Sequence, residues 1–294
     1  MYRNLDIENK ILKNKYYAEP YNPNDKPIIS YLICVRVLRG ISDKDSLYSL
    51  FWSYIEKVPE IDRNKAEFLI KFDIDDEVAI QNWVIGDTLK SKFPNLNIRV
   101  FAYNRWEGRR SLYLHYWYLF TRRNISSKYI GFLTDDVIFT QNPISYIEQY
   151  IDKEYAMLSH VHNIEVLHSI KDWELETTKW SGGALTEPYP TVSTKILEIC
   201  GNMGFQPNID NWFALINVIL YCKYKIDLYY DIPDIFHRNT FAHMEFTPDI
   251  FLPSKFNQEW LVDDSKPSDD SYYYKLIEKQ SDNIYLNMKN DGVV

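Results

Sequence analysis

Two short runs of carboxylates are the first residues with chemistry in them: Asp73-Ile-Asp75-Asp76, followed at once by Glu77, and the adjacent pair Asp135-Asp136. Neighbouring carboxylates repel unless a cation or hydrogen-bond donors lie between them. A hard divalent ion such as Mg²⁺ or Mn²⁺ takes carboxylate oxygens and is commonly completed by substrate phosphates. The competing explanation is a turn or helix start, where Asp is common because its side chain caps backbone N–H groups. Capping accounts for one or two acids of the first run, and three plus Glu77 exceed it. Such a run suits charge-assisted hydrogen bonds from a nucleobase or ribose hydroxyls.

The elements around these residues follow a repeated pattern. An apolar, β-branched run from Ile28 to Val37 predicts a strand buried on both faces. Ser42, Asp45 and the spacing of Leu47, Leu50, Phe51, Tyr54 and Ile55, with Pro59 beyond, predict a helix. Further strands are expected at Glu67–Phe72, Asn97–Ala102, Lys128–Leu133 and Tyr155–Val161. Helices are expected at 77–92, at 111–121 and from Asn142-Pro143 to Asp152, the last opened by an N-cap and a proline at N1. Strands alternating with helices predict an α/β fold: a doubly wound, mostly parallel central sheet flanked by helices, as a single domain. Both acidic runs then fall just past strand carboxyl ends, where ligands bind in such sheets. Beyond Asn163 the pattern loosens to an aromatic segment from Trp173 to Pro190, helices near 192–200 and 211–222, and a strand near 225–230.

Bulk properties exclude several classes. The chain has 294 residues and a net charge of −8, which argues against a nucleic-acid backbone as partner. Cys34, Cys200 and Cys222 are too scattered for a disulfide framework or a zinc site, so a reducing compartment is expected. The polar first fifteen residues hold no apolar signal core, and no apolar run reaches membrane-span length, so a cytoplasmic location without a transmembrane segment is expected. With nine glycines and neither G-x-G-x-x-G nor G-x-x-x-x-G-K-[ST], a dinucleotide fingerprint and a P-loop are both unsupported. Aromatic residues make up 16% of the chain, and rings with a flat apolar face and a polar tip suit sugar surfaces as well as cores.

The strand carrying LIKFDIDDE and the later strand carrying FLTDDVIF, in this order and spacing, resemble the metal-dependent GT-A glycosyltransferases, particularly family-2-like bacterial and viral members. The resemblance covers residues 28–151 and fades afterwards. It implies transfer of a sugar from a nucleoside diphosphate donor (UDP- or GDP-sugar) to a glycan or other hydroxyl acceptor, with inversion, assisted by Mn²⁺ or Mg²⁺. Asp73, Asp75 and Asp76 match the nucleoside side. Asp136, with Asp135 beside it, matches the metal and diphosphate motif, although Val137 stands where a D-x-D motif has its second Asp. Arg36, Arg109 and Arg110 are the expected donor cations, and His243, ahead of His237, the expected third metal ligand. Asp210 and Glu245 are the candidate bases, with Asp249 as competitor, and Trp173, Trp180 and Trp212 the candidate acceptor platforms.

On this reading residues 1–27 form an extended lead-in, 28–162 the donor half, 163–252 the acceptor half of the same domain and 253–294 a peripheral C-terminal tail. Three rival functions stay open. One is a non-catalytic carbohydrate-binding protein on the same fold. Another is a Mg²⁺-dependent phosphohydrolase with Asp73 as nucleophile, although Glu77 occupies the position where that chemistry shows Thr or Val. The third is a sugar nucleotidylyltransferase, whose glycine-rich N-terminal loop is missing here.

Overall fold

A computed structural model describes residues 16–18, 24, 26–35, 46–73, 89–103, 125–135, 137–159, 167, 169, 189–200, 209–233, 235–238 and 270–294. Its strands are β1 (Tyr16–Ala18), β2 (Ile29–Val35), β3 (Ala66–Asp73), β4 (Asn97–Tyr103), β5 (Tyr129–Leu133), β6 (Val137–Phe139), β7 (Met157–Ser159), β8 (Thr191–Ser193), β9 (Tyr229–Asp231) and β10 (Phe236–Arg238). Its helices are α1 (Ser46–Lys57), α2 (Leu89–Lys92), α3 (Pro143–Ile147), α4 (Thr194–Cys200), α5 (Ile209–Tyr224) and α6 (Asp270–Asn290), with 3₁₀ turns at Glu60–Lys65 and Glu148–Tyr150. The main sheet runs β1-β4-β3-β2-β5-β8-β7-β9, and β10 pairs with β6 in a second, two-stranded sheet.

The expected parallel sheet is present as the run β4-β3-β2-β5, with β2 parallel to both β3 and β5. Strands of this kind must be apolar on both faces, because helices cover each side. On one face Tyr31, Ile33, Phe68, Ile70, Phe72 and Val100 pack against Leu47, Leu50, Phe51 and Tyr54 of α1 and against β6 and β10. On the other, Leu32, Leu69, Ile130 and Phe132 pack against α4, α5 and α6. Around the parallel run β1, β8 and β7 pair antiparallel, and β9 returns parallel to β7.

Two buried features set the register of the run. At its amino end, Ser30 donates to Glu67 (2.5 Å), and its hydroxyl lies 2.6 Å from that of Ser127. Arg99 donates to the second carboxylate oxygen of Glu67 at 3.3 Å, with both side chains almost wholly buried. One hydrogen-bonded cluster thus joins β2, β3, β4 and the entry to β5. In mid-sheet, a Cβ at Gly131 would lie 2.5 Å from Cδ1 of Tyr31. Glycine is needed because the Tyr31 ring lies over β5 while stacking on Phe68 (centroids 5.5 Å apart) and meeting Phe139 edge-on at 5.6 Å.

The C-terminal region differs from expectation. Residues 253–294 were to be peripheral, yet α6 buries Ile277, Ile284 and Met288 in the second core. Gln280 donates to the Cys200 carbonyl (2.7 Å), and Tyr285 stacks on Tyr224 at 3.8 Å. Lys223 bonds Glu278 and Asp282, while Lys195 and Tyr155 both bond Asp291. The apolar stripe is narrow and set among Lys, Gln, Asn and Asp, so the segment reads as polar although one face is apolar. Other differences are local. The strand expected at Tyr155–Val161 is β7, which pairs with β8 rather than extending the parallel run. The strand near 225–230 is confined to Tyr229–Asp231, and the helix near 192–200 begins at Thr194 because Thr191–Ser193 form β8. The helix opened by Asn142-Pro143 has its N-cap bond, Ile144 N–H to Asn142 Oδ1 at 3.0 Å, but tightens to 3₁₀ after Ile147. Of the helix expected at 77–92 only Leu89–Lys92 is described, and the one expected at 111–121 lies outside the described residues.

Two outcomes follow. Gly131→Ala should destabilise the protein by about 1–3 kcal/mol in urea unfolding, the usual cost of overpacking; an unchanged midpoint would mean that Tyr31 yields freely. Glu67→Ala leaves the Arg99 guanidinium buried without its carboxylate and should cost about 3–5 kcal/mol, whereas Glu67→Leu combined with Arg99→Met should recover most of that loss.

Candidate functional site

The four parallel strands end together. Val35, Asp73, Tyr103 and Leu133 are their last residues, with Val35 opposite Phe72, Asp73 opposite Tyr103 and Leu133 opposite Ile33. The chain passes from β2 to β3 to β4 in one direction and then returns to place β5 on the other side of β2. The β2/β5 border is therefore the topological switch point, the place where open α/β sheets hold ligands beyond their carboxyl ends. Asp135 lies there, half-buried in the turn two residues after β5.

The neighbouring elements clamp this turn from both sides. Leu133 before it and Val137 after it are fully buried. Phe139 donates its backbone N–H to Ser53 Oγ of α1 (2.9 Å), fixing β6 to the helix that covers the first core. The antiparallel pairing of β6 with β10 sets His237 opposite Ile138 and Arg238 opposite Val137, so β10 runs beside the segment leaving the acidic pair.

The sequence motifs do not point to Lys71. It stands in β3 two residues before Asp73, between Cys34 of β2 and Phe101 of β4 in register, and only 1% of it is exposed. Among the described residues, Glu67, Lys71 and Arg99 are the buried acidic and basic side chains; Glu67 and Arg99 pair with each other at the opposite end of the sheet. The signal was available, since a single Lys interrupts the apolar run EFLIKF directly before the acidic cluster. Burial pushes the Cys34 thiol up to about 12; the Lys71 ammonium opposes this rise and the Asp135 carboxylate adds to it. The thiol thus feels a cation from β3 and an anion from the β5 turn.

Other expected site residues fall as follows. Asp73 is the last residue of β3, and Asp210 lies in the first turn of α5. Trp212 is 3% exposed and packed in the second core with Phe213 and Ile216, so it is a packing residue and not a surface for a sugar. Arg36, Asp75, Asp76, Arg109, Arg110, Asp136, Trp173, Trp180, His243, Glu245 and Asp249 lie outside the described residues. Among the described residues no three His, Cys, Asp or Glu side chains converge on one point. Asp135 supplies a hard carboxylate oxygen, the donor type that Mg²⁺ and Mn²⁺ take.

A cavity of ≈ 370 Å³ opens at the far, amino-terminal end of β5, lined by Ser127, Lys128, Glu154, Thr194, Lys195 and Glu198. Its Lys195 is already bonded to Glu154 and Asp291, so the cleft is built around internal ion pairs. No helix among the described residues is long and apolar enough to cross a membrane.

The sequence matches no protein-family model and no curated protein. Among solved structures, the chain is similar to TarS of S. aureus at 10% identity and a TM-score of 0.45, over 76% of this chain and 37% of that one. It is similar to a Bacillus anthracis protein assigned as a glucose-1-phosphate thymidylyltransferase, solved in complex with sucrose, at 7% identity and a TM-score of 0.44, over 74% and 96%. A third likeness is to the WbbM bifunctional glycosyltransferase at 10% identity and a TM-score of 0.40, over 73% and 40%. This chain therefore spans well under half the length of TarS and of WbbM. At such identities and scores no activity transfers from these proteins to this chain.

The thiol environment has a direct test. Cys34 and Cys200 are both pushed to about 12 by burial, so at pH 8 only about one thiol in ten thousand is ionised at either position. Native protein treated with iodoacetamide at pH 8 should leave both unmodified by peptide mass analysis, with rapid labelling in denaturant. Labelling of native Cys34 at a free-cysteine rate would contradict this environment.

Proposed function

We propose that this chain is a metal-dependent glycosyltransferase, moving a sugar from a nucleoside diphosphate donor (UDP- or GDP-sugar) to a glycan or other hydroxyl acceptor. One observation carries the reading: Asp73 and Asp135 leave the sheet at the same edge, on either side of β2, with Asp135 at the switch point. Two strands apart is about 10 Å, a separation that suits the two ends of a nucleoside diphosphate. Asp73, with Asp75 and Asp76, takes the nucleoside end by accepting hydrogen bonds. Asp135 and Asp136, with His243 as third ligand, are the residues to hold Mn²⁺ or Mg²⁺ at the diphosphate end. Such an ion, when bound, neutralises charge on the departing diphosphate.

The remaining roles fall to this chain's own groups. Arg36, Arg109 and Arg110 are cations for the donor phosphates. In transfer with inversion the acceptor oxygen bonds to the anomeric carbon as the bond from that carbon to the diphosphate breaks. The acceptor's proton passes to a carboxylate, for which Asp210 at the start of α5 and Glu245 are the candidates. Trp173 and Trp180 remain as acceptor platforms, Trp212 having been removed by its burial.

Calorimetric titration with UDP and GDP, with and without Mn²⁺, is the decisive experiment. Binding should require the metal, and Asp136→Ala should lower donor turnover by more than about a hundredfold, with Asp135→Ala reducing nucleotide binding. Failure of every nucleoside diphosphate to bind with either metal would sink the proposal. Glycan binding unchanged by Asp136→Ala, with no donor turnover in either protein, would instead favour a non-catalytic carbohydrate-binding protein.

A further inference from the structure

We infer that the outer face of α6 docks on an anionic lipid surface, with Lys275, Lys279 and Lys289 among the headgroups and Leu286, Val293 and Val294 at the acyl boundary. The inference is independent of the donor-site reading above and stands or falls by its own test.

The face is made of what the packing of α6 leaves over. Ile277, Ile284 and Met288 enter the second core. Lys275, Lys279, Leu286 and Lys289 are exposed and share the opposite side, within about 80° of the helix circumference. From Lys275 onward the carboxylates are Glu278, Asp282 and Asp291, and each is turned to a lysine of another helix. Glu278 and Asp282 bond Lys223 of α5, and Asp291 bonds Lys195 of α4. Asp282 falls inside the outer stripe, where it also accepts from the Tyr224 hydroxyl (2.7 Å). Lys275, Lys279 and Lys289 enter no ion pair among the described residues. Leu286, Val293 and Val294 are each just over half exposed, and they are three of the five large apolar side chains that stand exposed among the described residues. Apolar side chains gathered among unpaired cations mark a place of contact.

Such a face calls for a partner that is anionic and apolar at once. The chain as a whole carries a net charge of −8, so three uncompensated ammonium groups on one stripe run against its overall sign. Carboxylates more than about 10 Å away are largely screened at physiological salt and do not cancel them. An anionic bilayer offers phosphates to the lysines and, a little deeper, hydrocarbon to Leu286 and the two valines. Lysine stems lie along apolar surface while their heads stay in the polar layer, so both demands are met together. The stripe from Lys275 to Lys289 is about 21 Å long, which suits a helix lying flat on the surface. A nucleic acid matches the charge alone, since its phosphate backbone gives nothing to the apolar side chains. Each lysine near an anionic surface is worth about fivefold in affinity, so the three together give about a hundredfold, enough for reversible attachment.

The test is co-sedimentation of the full chain with phosphatidylcholine vesicles, pure or containing about 30% phosphatidylglycerol, at about 0.05 M and 0.5 M NaCl. Wild type should bind the anionic vesicles, not the neutral ones, and less at the higher salt. Replacing all three lysines (Lys275→Gln, Lys279→Gln, Lys289→Gln) should weaken that binding about a hundredfold. The pair Leu286→Gln and Val293→Gln should weaken it about tenfold. Both variants should keep the wild-type Tm, since all five side chains are exposed. Lys→Arg at the same three positions should bind as wild type does. Absence of binding to anionic vesicles would overturn the inference, as would equal binding by wild type and the lysine variant. Tighter binding to a single-stranded oligonucleotide, lowered by the lysine changes and untouched by the apolar ones, would assign the face to a polyanion instead and overturn it too. Should the triple variant fail to fold, Lys279→Gln alone decides, with about fivefold weaker vesicle binding expected and unchanged binding counting against the inference.

Discussion

The structure depends on β2 being paired in parallel on both sides at once. A parallel strand cannot turn directly into its neighbour, so each pairing needs a crossover that lays chain over one face or the other. β2 therefore has to be apolar on both faces, and the helices that cover it bring the rest of the domain with them. The hydroxyl of Ser30 is an exception, and the structure meets its polarity with Glu67 and Ser127 in one buried cluster. Because the bonds of Ser30 to Glu67 and Ser127 link β2 to β3 and to the entry of β5, a slip of one residue would break the cluster and turn Tyr31 away from the space left open by Gly131.

The two faces are filled differently. The first is crowded with rings: Tyr31, Phe51, Tyr54, Phe68, Phe139 and Phe236 meet edge-on or stacked. That packing holds β6 and β10 in place, and β6 holds one side of the acidic turn. The second face is closed by three helices from the later part of the chain, with α6 locked by Tyr224–Tyr285 stacking and by ion pairs at Asp282, in mid-helix, and at Asp291, just past its end. Much of the aromatic content thus goes to packing, Trp212 included, and needs no carbohydrate to explain it.

Charge is sorted along the sheet. The buried pair Glu67–Arg99 at the amino end neutralises itself and fixes register. At the carboxyl end Asp73 and Asp135 mark where the strands stop, with Lys71 buried just inside them. One end of the sheet is closed as structure, and the other carries the half-buried side chain of Asp135. The cavity at the amino end follows the same division, since the ion pairs of Lys195 serve to dock Glu154 and α6.

Much of this was legible in the chain itself. The near-continuous apolar runs dictate the strands of the parallel sheet, because a helix-covered strand has no polar face to show, and their order dictates which edge carries Asp73 and Asp135. Leu47, Leu50, Phe51 and Tyr54 likewise announce α1, and Asn142-Pro143 announces the start of α3. What the sequence could not determine are features made by residues distant along the chain. β8, β6 and β10 are three residues each, too short for any periodicity, and exist only because neighbouring strands offer them hydrogen-bond partners. The stripe on α6 is too narrow to stand out until α4 and α5 supply its other half. The switch point between β2 and β5 arises from strand order in space. Lys71 reads in sequence as one basic residue in an apolar strand. Only the pairing of β3 with β2 and β4 shows it buried beside Cys34, because burial and electrostatic neighbours are properties of the assembled sheet and not of the strand alone.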